Sequence, residues 1–79
     1  MLDNMQTKNL GLLYHKLNMI HLRRKLTEVE RELAHQVWYE LSLRGYDDGD
    51  FTQEMTDEEF REFLIKFMNS PFSKRGSKW

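Results

Sequence analysis

The chain has 79 residues, 12 basic and 13 acidic, for a net charge of −1. A chain of this size supports one domain with one modest core. It contains no cysteine, which excludes disulfides and thiolate-bound zinc. No uncharged run approaches the length of a membrane span. The N-terminus lacks a basic region followed by an apolar one, so no signal peptide is expected. The expected location is the cytoplasm, with no membrane partner.

Helical periodicity dominates, and no stretch alternates as a strand would. The first helix is expected over about residues 7–24. At 100° per residue, Leu10, Leu13, Tyr14, Leu17 and Ile20 share one face, while Leu12, Met19, Leu22 and Leu26 lie roughly opposite. A surface helix needs only one apolar stripe. Either the other two helices cover both stripes, or one stripe meets another chain. The second reading predicts self-association, most simply as a two-fold dimer, through Leu12, Met19, Leu22 and Leu26. Gly11 weakens the first turns of this helix by about 1 kcal/mol relative to alanine.

The second helix is expected over about residues 28–44. "TEVE" places Thr27 as N-cap and Glu30 as the reciprocal acceptor of a capping box. Gly45 follows as the left-handed C-terminal residue. Its apolar stripe is read as Val29, Leu33, Ala34, Val37, Trp38 and Leu41, with Tyr39 outside it. Two forms stay open for the join with the first helix. Met19, Leu22, Leu26, Val29 and Leu33 recur at heptad spacing, and no glycine or proline lies between Leu12 and Arg44. One continuous or kinked rod of roughly 55 Å is therefore as admissible as a break. The third helix is expected over about residues 57–69, opened by a second capping box, Thr56 with Glu59. The fold class is a small all-α helical bundle: one domain over 1–69, then a flexible basic tail over 70–79.

Charge is distributed unevenly. Lys8 to Lys25 holds five basic residues and no acid, whereas Tyr46 to Phe67 holds eight acids and two bases. Lys16, Arg23, Arg24 and Lys25, with Lys74, Arg75, Lys78 and Trp79 of the tail, are the candidate contacts to a partner protein or to nucleic acid. Asp47, Asp48, Asp50 and Glu54 form a candidate acidic docking surface. The same loop carries oxygen ligands at places one, three, five, seven and twelve of a calcium loop counted from Asp48. Gln53 stands at the sixth place, where such a loop needs glycine, so no calcium is expected. The three histidines, His15, His21 and His35, show no metal-ligand spacing, and there is no phosphate-cradling loop or nucleophile motif. No cofactor, metal or catalytic residue is assigned. The expected function is a small non-enzymatic regulator or inhibitor that binds a larger protein and self-associates. The alternatives are a nucleic-acid-binding regulator or an assembly subunit without independent activity.

Overall fold

A computed structural model describes residues 2–69, so the tail contacts assigned to Lys74, Arg75, Lys78 and Trp79 lie outside the described residues. Three helices form: α1, Thr7–Arg23; α2, Glu28–Leu43; and α3, Asp57–Met68. Short 3₁₀ turns at Leu2–Asn4 and Asp48–Asp50 precede α1 and α3. There is no strand among the described residues, and no helix there is long and apolar enough to cross a membrane.

The break between α1 and α2 is real, and the continuous rod does not form. Arg24 is extended, at φ −161° and ψ 170°. Thr27 caps α2: its hydroxyl accepts from the Glu30 N–H at 3.2 Å, and its own N–H donates to Glu30 Oε1 at 2.8 Å. The Arg24 guanidinium then grips the Glu30 carboxylate through two N–H···O bonds of 2.8 and 2.9 Å, and donates to the Lys25 carbonyl at 3.0 Å. A hairpin can thus turn without glycine, because a bidentate arginine and a capping box converge on one carboxylate. The heptad-spaced Leu26 and Val29 pack sideways onto the core across this turn.

α2 ends as expected at Gly45, whose φ of +84° only glycine adopts readily. The Gly45 N–H donates to Ser42 and the Tyr46 N–H to Leu41, the two bonds of a Schellman motif. Arg44 then ties this end of α2 to the N-terminus. Its Nη1 donates to the Met5 carbonyl at 2.7 Å and to Thr7 Oγ1 at 3.1 Å, and its Nε to Glu40 at 3.2 Å. α3 opens on the Thr56–Glu59 capping box.

The core is built from Leu10, Leu13 and Leu17 of α1, Leu33, Val37 and Leu41 of α2, and Phe60 and Phe67 of α3, closed by Leu2 and Met55. Tyr14 and Ile20 are half-buried against it. Trp38 is a correction to the expected stripe. The buried arc of α2 centres on Val37, so Trp38, 100° further round, reaches only its edge and remains 49% exposed.

The second face of α1 is covered from within the chain along its N-terminal half. The segment from Tyr46 to Met55 runs over it as a strap. The Met55 N–H donates to the Leu12 carbonyl at 3.2 Å. The Phe51 ring lies flush on Gly11, where an added methyl would stand 2.6 Å from Cγ and closer still to Cδ1 and Cε1. Tyr46 flanks that ring at 5.8 Å between centroids.

Candidate interaction surfaces

The four residues expected to pair with a second copy do not form one open stripe. The Leu12 carbonyl accepts from the strap and its side chain is half-buried, and the hairpin turn draws Leu26 in against the core. Met19 is half-buried. Leu22 alone is open, at 78% exposure. The stripe is divided because the acidic loop, expected from sequence as a docking surface, lies along α1.

The basic run is divided in the same way. Lys16 is not an available contact: its side chain is 6% exposed, and its ammonium pairs with Glu54 at 3.2 Å and with Asp57. The hydrogen bond to Asp57 is the largest cause that raises the Lys16 pKa above its usual value, with burial opposing it; the same bond lowers the Asp57 carboxyl. Arg24 is committed to Glu30, whose carboxyl is held below its usual range chiefly by that guanidinium, against the cost of burial. Arg23 and Lys25 remain exposed.

Glu54 of the expected acidic surface is likewise engaged, on Lys16. The Asp47 N–H donates to the Asp50 carboxylate at 2.9 Å, folding the 3₁₀ turn that contains Asp48. Asp47 and Asp50 are exposed. Between this turn and the first turns of α1 lies an open groove of about 370 Å³, lined by Thr7, Lys8, Leu12, Tyr46, Phe51 and Gln53 among others. No group of three or more histidine or acidic side chains among the described residues is placed to hold a metal ion.

The surface that sequence reasoning missed is the outer side of α2. Arg31, His35, Trp38, Tyr39, Ser42 and Leu43 are all exposed. Tyr39 is 58% and Leu43 65% exposed, and the Trp38 ring leans on His35 at 6.2 Å. The spacing i, i+3, i+4, i+8 from His35 could have found it. The Val37–Trp38 doublet hid it, because both residues were read as one buried stripe.

Comparison of the chain with protein-family models, with curated proteins and with solved structures finds no match.

Proposed function

We propose that this chain is a small non-catalytic binding protein, a regulator or inhibitor that self-associates and engages a larger protein through exposed apolar side chains on rigid helices. The observation that carries this reading is the outer face of α2. Trp38, Tyr39 and Leu43 stand open on a helix whose opposite side is fully buried. Tryptophan and tyrosine supply large contact area at low entropic cost and dominate the energetics of protein interfaces. A helix capped at both ends holds them ready for contact, so little ordering is needed on binding. Leu22 adds a second apolar point at the far end of α1.

A nucleic-acid-binding reading has support from Arg23 and Lys25, exposed at the end of α1. It is the weaker one, because Lys16 and Arg24 already neutralise acids of the same chain. The test is capture from native extract followed by mass spectrometry, with wild type and Trp38→Ala/Tyr39→Ala side by side. The expected result is a protein that wild type retains in high salt and the double variant loses, with unchanged helicity. Retention of nucleic acid instead, lost steeply as salt rises, would overturn the proposal in favour of phosphate binding.

A further inference from the structure

The outer face of α2 has a symmetry of its own. Around the helix, Arg31, His35, Trp38 and Ser42 lie within about 60° of one another, with Tyr39 and Leu43 along one flank. From their exposures, Trp38, Tyr39 and Leu43 leave open on the order of 350 Å² of largely apolar surface. One side of a standard interface buries about 800 Å², a little over half of it apolar. The face therefore holds most of the apolar area that one half of a stable dimer needs.

We infer that this face is covered by the same face of a second copy, the two α2 helices crossing antiparallel about a two-fold axis between Trp38 and Tyr39. This rests on the binding reading above and deepens its self-association; a larger protein would compete with the second copy for the same face. In an isologous contact residue i meets j and j meets i. An axis at that point sets Trp38 against Tyr39, two aromatic rings at the centre. It sets His35 against Ser42, a donor–acceptor pair. Parallel pairing would instead set Arg31 against Arg31 and Glu28 against Glu28. The helix dipoles also favour the antiparallel arrangement. The avoided like-charge pairs and the apolar area agree on this geometry.

Sedimentation equilibrium of the wild-type chain from one to a hundred micromolar, roughly, is the primary test. The expected result is a concentration-dependent dimer. Tyr39→Glu should weaken it about thirtyfold or more, as loss of a central aromatic anchor does. Leu43→Ala, at the flank of the face, should weaken it less. Circular dichroism on each variant checks that helicity is intact. Spin labels on Glu28→Cys, in a chain with no other cysteine, should read about 30 Å between copies for antiparallel helices and under about 15 Å for parallel ones. A strictly monomeric wild type overturns the inference. So does a dimer that Leu22→Glu dissociates and Tyr39→Glu does not, or a short spin-label distance. If the monomer still captures a different protein through Trp38 and Tyr39, the binding reading stands while the second copy is excluded.

Discussion

Gly11→Ala sets two effects of known sign against each other. In an exposed helix interior the change should stabilise by about 1 kcal/mol, because glycine loses more backbone entropy than alanine. Gly11 is instead roofed by Phe51, and a methyl there overlaps three ring carbons. Overpacking of this kind costs typically 1–3 kcal/mol. If the ring swings away, the strap loses its half-buried phenyl and the contact with Tyr46, together about 1–2 kcal/mol. Net destabilisation of about 1–2 kcal/mol is expected, which for a domain of this size lowers the melting temperature by about 4 °C or more. Urea unfolding of four proteins measures it: wild type, Gly11→Ala, Phe51→Ala and the double variant. With the ring removed, alanine at position 11 should recover its propensity advantage, so the cycle should show a coupling of about 1–3 kcal/mol. A stabilised Gly11→Ala, or additive single effects, would refute the close packing of strap on helix.

Three further outcomes follow from local geometry. Thr56→Ala should cost about 1 kcal/mol in denaturant unfolding, because it removes the acceptor of the Glu59 N–H. Arg23→Glu should leave the melting temperature almost unchanged, whereas Arg24→Glu should lower it clearly, since it strips the buried Glu30 carboxylate of its bidentate partner. The folded pKa of Glu30 is depressed below 4.5. Its contribution is therefore present above that value and lost as pH falls through the folded pKa. Thermal unfolding from pH 7 down to pH 2 should show stability declining below about pH 4.5, and Glu30→Gln should flatten the part of that decline due to this group.

The helices were legible because their signals are short-range. A capping box spans three residues, and Gly45 sits directly behind the helix it ends. Expected and observed bounds accordingly differ by about one residue. The join at 24–27 was left open in the sequence because its deciding contact, Arg24 on Glu30, exists only once the chain has turned; the heptad spacing described the same leucines equally well as a rod. The strap was illegible for a different reason. Its acidic residues read as a docking surface, and nothing local marks Phe51 as the lid for a glycine 40 positions earlier. Lys16 and Leu12 were both judged by helix face without knowing what would lie upon that face; the first is paired with acids and the second is half-buried. Leu22, beyond the reach of the strap, kept the exposure its face implied.

The strap also orders events in time. Arg24 and Glu30 close the α1–α2 hairpin across six residues, whereas Lys16 reaches Glu54 across 38 and Asp57 across 41. Short loops close cheaply and fast, and distant contacts form only after the intervening chain has been restrained. The hairpin is then the natural nucleus, and strap and third helix dock upon it as a later tier. In the folded protein the same hierarchy runs in reverse. Hydrogen exchange is then expected to find the strap's amides, the Met55 N–H among them, opening at lower free energy than those of the hairpin helices.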